Sequence, residues 1–282
     1  MSTFARRKAI SEDTLDRIPA VLHEVREGSQ DSTFIKEQLP PLSREHCPNY
    51  APSKITVVNS DSFTAARDTM RSASERKQDA KAKVAVLNLA SDERPGGGWA
   101  ETLSRTQEEA LCYSSTLYPT LKASYYPWAN SGPSSAAGVY SPAVVIFKDD
   151  LDHDCADLPR AEWRVVSVIT VAAPRSPHLS NGRFPPMTLK WMREKIRLVY
   201  RMAAHNGQPY MVLGAMGCGA YECPPTQVAE EMKAILLEEE FKGWFREVTF
   251  AVYATQRNSN YDIFKDILDG VEIGGEVEAV SS

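Results

Sequence analysis

The chain has 282 residues, of which 43% are hydrophobic and 24% are charged, and its formal net charge at pH 7 is −5. This length and composition are typical of a globular protein with a full core, and the negative balance excludes a general electrostatic attraction to nucleic acid. A polyanionic ligand would therefore have to be met by a local basic patch.

The cysteines and the N-terminal segment indicate in which cellular compartment the protein is expected. The chain has five cysteines without paired spacing, which argues against a disulfide framework and for a reducing environment. Residues 1–15 lack the apolar core of a signal peptide, and no run reaches the ~18 apolar residues of a membrane span. We therefore expect an intracellular protein, in the cytoplasm or the nucleus, with no membrane partner.

Residues 1–50 are polar and helix-prone. A helix is predicted to begin at Ser11 and to run through Val25, because Gly28 stands just beyond it and glycine often ends helices. We predict that residues 1–50 form a helical extension packed on the core, that residues 51–270 form the main domain, and that residues 271–282 form a disordered tail.

Six short apolar runs follow, and such runs indicate strands that are buried on both faces. Helical patterns alternate with them, as after Asp61, where Phe63, Ala66 and Met70 share one helix face. The alternation predicts an α/β fold with three layers, helices on either side of one sheet. The predicted strands are residues 55–58, 84–89, 143–147, 165–172, 210–216 and 248–254.

The stretch from residue 84 to residue 121 carries the strongest functional signal. A triplet of glycines, Gly96 to Gly98, follows a predicted buried strand, and glycine lets the backbone lie close against a ligand. A helix is predicted after the triplet, opened by Gln107, Glu108 and Glu109. Two carboxylates would thus lie at the carboxyl edge of the sheet, where α/β proteins usually bind ligands. The apolar face of this helix is predicted to consist of Ala110, Leu111, Ser114, Leu117, Tyr118 and Leu121.

Each part of this stretch also has a purely structural interpretation. Thr106 and Glu109 have the T-x-x-E spacing of a capping box, and acidic residues in a first turn complement the helix dipole. A glycine triplet alone is usually a flexible turn. The conjunction of strand, triplet and Gln-Glu-Glu favours a site, but the spacing by itself leaves both interpretations open.

A second glycine loop follows the strand predicted at residues 210–216. Gly217, Gly219 and the prolines that precede the next helix give free backbone N–H groups beside a helix N-terminus, an arrangement suited to anions. The loop is neither a Walker A sequence nor the dinucleotide-binding fingerprint. A glycine-rich turn without any ligand is the alternative. Composition and spacing thus indicate an α/β domain that binds a phosphate-containing ligand through two glycine loops.

Two further segments are predicted to be loops. Residues 119–142 form the longer one, and its Tyr125, Tyr126 and Trp128 either stack on a base or a ribose or simply pack the loop down. Residues 174–186 form the other, which would leave Arg175 and Arg183 free to meet phosphates.

We expect no metal and no cofactor. No cluster of histidine, cysteine and aspartate has ligand spacing, and His153, in an acidic linker, is interpreted as a surface residue.

The glycine triplet, the eight-residue spacer from residue 99 to residue 106 and Gln-Glu-Glu together resemble the signature of the microbial-type poly(ADP-ribose) glycohydrolases (PARGs), which are macrodomain enzymes. The resemblance includes Asn88, Ala90 and Pro95 ahead of the triplet, and the second loop within LGAMGCGAYECPP, residues 213–225. It implies that residues 51–270 form a macrodomain-like catalytic domain with a mixed sheet.

The resemblance also implies roles for the predicted site. Glu109 would be the catalytic acid/base, Glu108 would orient ribose hydroxyls, and Asn88 would contact the terminal ribose. The other ligand-binding residues implied are Gly96, Gly97, Gly98, Gln107, Gly217, Cys218, Gly219, Ala220 and Tyr221.

The implied activity is hydrolysis of ribose–ribose bonds in poly(ADP-ribose), from chain ends and by a monomer, with ADP-ribose as product. The alternatives are a hydrolase of mono-ADP-ribosyl groups on ADP-ribosylated macromolecules and a non-catalytic ADP-ribose-binding module. Neighbouring helix residues point about 100° apart, so Glu108 and Glu109 need not both face the scissile bond.

One position departs from the family pattern. The family usually has Phe-Gly-Asn before the prolines, whereas this chain has Tyr221 and Glu222 in that segment. Glu222 is expected to place a negative charge near the diphosphate and either to weaken binding or to alter substrate preference.

Overall fold

The computed structural model describes residues 3–76, 82–254 and 260–274. Its centre is a seven-stranded sheet in the order β1-β5-β6-β4-β7-β8-β3. β5 runs antiparallel to both of its neighbours, and the other pairs are parallel, so the sheet is mixed as expected. β2 and β9 form a separate pair. The strands are β1 (Thr33–Ile35), β2 (Ser53–Lys54), β3 (Thr56–Val58), β4 (Val84–Leu89), β5 (Gly138–Ile146), β6 (Arg164–Val171), β7 (Tyr210–Leu213), β8 (Glu247–Ala251) and β9 (Glu272–Ile273).

Alternating residues of β4 show why the fold has three layers. Ala85 and Leu87 belong to a core that also contains buried residues of α4, α5 and α6. Val84 and Val86 belong to a second core, shared with α2 and α3. Because side chains alternate across a strand, these cores lie on opposite faces, and the predicted α/β/α sandwich is confirmed. The helices are α1 (Phe4–Glu24), α2 (Ser62–Glu75), α3 (Gln107–Ser114), α4 (Pro186–His205), α5 (Pro225–Leu236) and α6 (Asn260–Leu268).

All six predicted strands form; β4 has the predicted ends, and the other five differ in at least one end. β5 departs most, because it begins at Gly138 rather than at residue 143. A register shift between Ser141 and Val144 lets it continue past Pro142, whose missing N–H would interrupt a regular ladder.

The first helix is longer than predicted. Thr3, not Ser11, caps α1, and its side chain accepts a hydrogen bond from the backbone N–H of Arg6. Ser11 lies inside the helix, where its hydroxyl donates to the Lys8 carbonyl at 2.8 Å. α1 is fixed over α3 because the Thr14 hydroxyl donates to the Tyr113 carbonyl at 2.8 Å.

α3 ends at Ser114, so the predicted extension of its apolar face to Leu121 is wrong. Ser115 has an extended backbone and pairs with Ile146 of β5. The Ser114 carbonyl also accepts the Phe147 N–H at 3.1 Å, so pairing with the sheet replaces another helical turn.

Two strands lie outside the predicted main domain. β1, within the predicted helical extension, pairs with β5 at one edge of the sheet. β9, within the predicted tail, pairs with β2. The rest of that tail, from residue 275, lies outside the described residues.

The aromatic residues of the segment predicted as a long surface loop pack it down. Trp128 is 8% exposed, and its ring centroid lies 4.6 Å from that of Tyr126. Tyr125 stacks on Phe34 of β1 at 5.3 Å. Within the described ranges, no helix is both long and apolar enough to cross a membrane.

Candidate active site

A cleft of about 550 Å³ opens at the carboxyl ends of β4, β7 and β8, between the two glycine loops. Most of the predicted site residues line it, but Asn88, Gly96 and Cys218 do not. The predicted residues that line it are Gly97, Gly98, Gln107, Glu108, Glu109, Gly217, Gly219, Ala220 and Tyr221.

Glu109 is held by the loop that precedes it. Its Oε1 accepts the backbone N–H of Gly98 at 2.6 Å, and its other oxygen accepts the hydroxyl of Thr106. The Thr106 hydroxyl accepts no hydrogen bond from a backbone N–H of the first turn of α3, so these two residues do not form a capping box. The carboxylate of Glu109, 3% exposed, instead borders the cleft.

Glu108 is fixed from the strand side. Its Oε2 accepts the Ser91 N–H at 2.7 Å, and its Oε1 accepts the Asn88 amide at 3.2 Å. Burial is the main reason that the pKa of Glu108 is raised to about 8. The hydrogen bonds from Ser91 and Asn88 lower this pKa, and the nearby charge of Glu109 raises it. Asn88 is fully buried and contacts Glu108 and Thr170, so it lies behind the carboxylate rather than on the cleft wall.

Gln107 braces α3 against β4. Its Oε1 accepts the Leu89 N–H at 2.9 Å, and its Nε2 donates to the Leu87 carbonyl at 2.7 Å and to the Ser62 hydroxyl at 3.0 Å. Both polar atoms of this side chain therefore have protein partners, and its geometry favours positioning of the two glutamates.

The second loop presents backbone donors to the cleft. The N–H groups of Gly219, Ala220 and Tyr221 have no hydrogen-bond acceptor among the described residues, whereas the Glu222 N–H closes the turn onto the Gly219 carbonyl at 3.0 Å. A Cβ at Gly219 would meet no atom within 4 Å. Consecutive free N–H groups beside open space form an anion-binding concavity.

A network centred on the buried Asp92, which the sequence did not predict, joins the two loops. The Tyr221 hydroxyl donates to Asp92 Oδ1 at 2.9 Å, and Arg175 Nη2 lies 2.9 Å from Asp92 Oδ2. Burial, then the hydrogen bond to Asp92, raises the pKa of Tyr221. Arg175 also pairs with Glu93, and Arg183 pairs with Glu230 at 3.1 Å, so neither arginine is as free as predicted. No spacing rule connects residues this far apart.

Glu222 lies away from the cleft wall. It is exposed, has a φ of 56°, and is not among the residues that line the cleft. Its expected effect on the diphosphate site has no contact to support it.

Another wall of the cleft combines the acidic side chain of Asp61 with an apolar surface. Asp61 caps α2 by accepting the Phe63 N–H at 2.7 Å, and burial raises its pKa to about 6. Val252 and Tyr253, which follow β8, complete this wall.

An acidic group with a histidine lies close by. Asp149, Asp150 and His153 place one ligand atom each within 4.8 Å of one another. His153 is exposed, as predicted, and hydrogen bonding to Asp150 raises its pKa.

Residues 21–149 match the family model of the microbial-type PARG catalytic domain. A structure of poly(ADP-ribose) glycohydrolase from Deinococcus radiodurans in complex with ADP-ribose is 32% identical, with a TM-score of 0.65 over 79% of this chain and 86% of that one. The chain belongs to the microbial-type PARG family.

Structures from Thermomonospora curvata extend the likeness over nearly the whole length. Its poly(ADP-ribose) glycohydrolase is 26% identical, with a TM-score of 0.78 over 94% of this chain and 100% of that one. The same enzyme bound to the inhibitor ADP-HPD is 27% identical, with a TM-score of 0.74 over 94% and 99% of the two chains. No curated protein matches the sequence of this family member.

Proposed function

We propose that this chain is a poly(ADP-ribose) glycohydrolase that cleaves ribose–ribose bonds from chain ends and releases ADP-ribose, with Glu109 as the acid/base. The observation that carries the proposal is the setting of Glu109. Its carboxylate borders a cleft between two glycine loops and is oriented by the Gly98 N–H and the Thr106 hydroxyl. The solved structures of similar poly(ADP-ribose) glycohydrolases, which include complexes with ADP-ribose and with the inhibitor ADP-HPD, support this proposal.

The cleft suits ADP-ribose in size and in chemistry. Its volume, about 550 Å³, falls within the range of small-molecule sites. The free N–H groups of Gly219, Ala220 and Tyr221 would hold the diphosphate. The wall at Val252 and Tyr253 offers an apolar and aromatic surface for the adenine. The terminal ribose would then lie against Gly97, beside the two glutamates.

The chemistry requires a proton on the leaving oxygen and stabilisation of an oxocarbenium-like carbon. Glu109 donates its proton to the ribose oxygen of the preceding unit as the bond from that oxygen to the anomeric carbon breaks. A water molecule then adds to the anomeric carbon and gives a proton to the Glu109 carboxylate, which restores the acid. The diphosphate of the bound unit, held by the second loop, stabilises the positive charge between the two steps.

Glu108 would position the ribose. With a pKa of about 8 it is mostly protonated at neutral pH, so its hydroxyl is able to donate to a ribose oxygen. A neutral Glu108 also limits the negative charge that the two adjacent carboxyl groups present to an anionic substrate. The burial of Glu108 and the contacts of each side chain support this division of roles.

The test is incubation of the purified chain with labelled poly(ADP-ribose), followed by separation of the products. We expect free ADP-ribose to accumulate from the start, without intermediate oligomers. Tight polymer binding without product would indicate a binding module instead. Release only from a mono-ADP-ribosylated peptide would indicate the mono-ADP-ribosyl hydrolase. Oligomers that appear before ADP-ribose would exclude cleavage from chain ends.

A further inference from the structure

The arginines of the cleft wall differ in their partners. Arg94, Arg105 and Arg175 all line the cleft. Arg94 pairs with Glu101, and Arg175 lies 2.9 Å from Asp92. Arg105 is exposed, and within residues 3–76, 82–254 and 260–274 its side chain has no ion pair and no hydrogen bond. Its charge is therefore available to a ligand.

Arg105 lies at the outer part of the cleft, next to the proposed chemistry. It directly precedes Thr106, whose hydroxyl contacts Glu109. Its charge also reaches Tyr253, which is 52% exposed and whose hydroxyl donates to Asp152 at 2.5 Å. The hydrogen bond to Asp152 raises the pKa of Tyr253, and the charge of Arg105 partly opposes that shift. Arg105 therefore lines the cleft next to Thr106 and close enough to Tyr253 for its charge to act on that hydroxyl.

The carboxylates of this rim make an available cation necessary for a polymeric substrate. Asp150 and Asp152 also line the cleft, and they repel an incoming polyanion. The second glycine loop supplies donors for one diphosphate, that of the unit to be released. A polymer brings a further diphosphate with the next unit. A guanidinium is well suited to it, since it binds phosphate oxygens in a bidentate manner and stays charged.

We propose that Arg105 binds the diphosphate of the ADP-ribose unit on the other side of the scissile bond, so that it recognises polymer and not free ADP-ribose. The inference rests on the proposed function, because it assigns the terminal unit to the inner cleft. Under this proposal, Arg105 lets the protein distinguish poly(ADP-ribose) from free ADP-ribose. Loss of its charge therefore weakens the affinity for the polymer and leaves the affinity for ADP-ribose unchanged.

The experiment measures binding, so it does not depend on turnover. Arg105→Gln is made in a Glu109→Gln background, and affinities for labelled poly(ADP-ribose) and for ADP-ribose are compared with those of the background alone. We expect about a tenfold loss for polymer, the value of one charge-assisted contact, and less than about a twofold change for ADP-ribose. The salt dependence of polymer binding should also become shallower, since one fewer phosphate is neutralised.

Two matched variants complete the design. Arg105→Lys keeps the charge without the bidentate fork and should recover part of the polymer affinity. Arg71→Gln removes one positive charge from an exposed helix position outside the cleft, and should change neither affinity.

Equal losses for polymer and ADP-ribose would overturn the inference, because Arg105 would then hold the terminal unit. An unchanged polymer affinity would overturn it as well. The proposed function has a separate criterion, release of ADP-ribose by the unmodified chain, so failure of one is distinguishable from failure of the other.

Discussion

The carboxylates of Glu108 and Glu109 converge on one backbone position, although the two residues are neighbours on a helix. A Cβ atom placed on Gly97 would lie 2.9 Å from Glu108 Oε2 and 2.7 Å from Glu109 Oε1. The convergence is possible because the two side chains are drawn to different donors, Ser91 N–H and Gly98 N–H. Both carboxyl groups thereby border the cleft. This convergence is not expected from helix geometry alone, since the side chains of successive helical residues point about 100° apart.

Gly97→Ala should therefore abolish most of the activity while the fold survives. The new methyl group would displace both carboxylates, and a shift of about 1 Å in a catalytic group can cost about 10² in rate. The φ of Gly97, 57°, adds left-handed strain of about 1–2 kcal/mol. Hydrolysis of poly(ADP-ribose) and thermal unfolding would be measured together.

Gly182→Ala is the matched control. Gly182 also has a positive φ, 73°, but a Cβ there would meet nothing within 4 Å. It should lower the melting temperature to a similar extent and leave hydrolysis unchanged. Equal activity of the two variants would show that the space at Gly97 is not needed.

Glu109→Gln should lower the rate of hydrolysis by at least about 10²-fold, the usual value of one acid/base group. The amide oxygen still accepts the Gly98 N–H, and the amide nitrogen can donate to Thr106, so folding and ADP-ribose binding should change little. Rates under saturating substrate and ADP-ribose affinity by calorimetry would separate these effects. A variant that hydrolyses polymer at the unmodified rate would place the chemistry on another residue.

Glu108→Gln should change how stability depends on pH. The folded-state pKa of Glu108, about 8, lies above the ordinary glutamate pKa of 4.5, so the folded chain binds more protons than the unfolded chain between these values. The stabilisation that protonated Glu108 gives to the folded state is therefore fully present below about pH 4.5 and is lost as the pH rises through about 8. The loss amounts to at most about 1.4 kcal/mol per pH unit.

The measurement is the free energy of unfolding of both proteins between about pH 5 and pH 9, set by the interval over which the group titrates. Relative to Glu108→Gln, the unmodified chain should lose stability with rising pH across this range. Parallel curves for the two proteins would mean that Glu108 is charged in the folded state at neutral pH.

Activity should survive EDTA, although Asp149, Asp150 and His153 lie close together. Asp150 already caps a helical turn by accepting the Asp152 N–H at 3.1 Å, and Asp149 pairs with Arg67 at 2.7 Å. Carboxylates held in this way are poor ligands for a cation that must displace their partners. Loss of hydrolysis on chelation, restored by one added divalent ion, would contradict this expectation.

The sequence predicted those parts of the molecule that depend on local patterns. Buried strands, glycine loops and the Gln-Glu-Glu turn are all readable within a window of about ten residues. The length of α3 could not be predicted from the local sequence. The helical pattern continues through Ser115, but Ser115 pairs with Ile146, a residue far along the chain. β1 was missed for the same reason, since its three residues are stabilised by distant partners, through pairing with β5 and through the stacking of Phe34 on Tyr125.

Contacts that define the site were also beyond the sequence. Asp92, Arg175 and Tyr221 come from three separate loops, and only the folded sheet brings them together. The choice between a capping box and a site at Thr106 and Glu109 likewise depended on the position of the Gly98 N–H. Spacing alone is the same in both cases.

Gly219→Val tests whether the second loop holds the diphosphate. A Cβ at Gly219 meets nothing within 4 Å, so the fold has room for the larger side chain. The same space is where the phosphate oxygens would approach the free N–H groups of Gly219 and Ala220, and an isopropyl group there would keep them apart. We expect ADP-ribose, at a concentration that raises the melting temperature of the unmodified chain, to raise that of the variant far less. Gly219→Ala, which adds one methyl group, should give an intermediate shift in melting temperature.

The opposite result would assign the loop a purely structural role. If Gly219→Val melts at the normal temperature and binds ADP-ribose with unchanged affinity, the loop is a structural turn and the diphosphate must lie elsewhere.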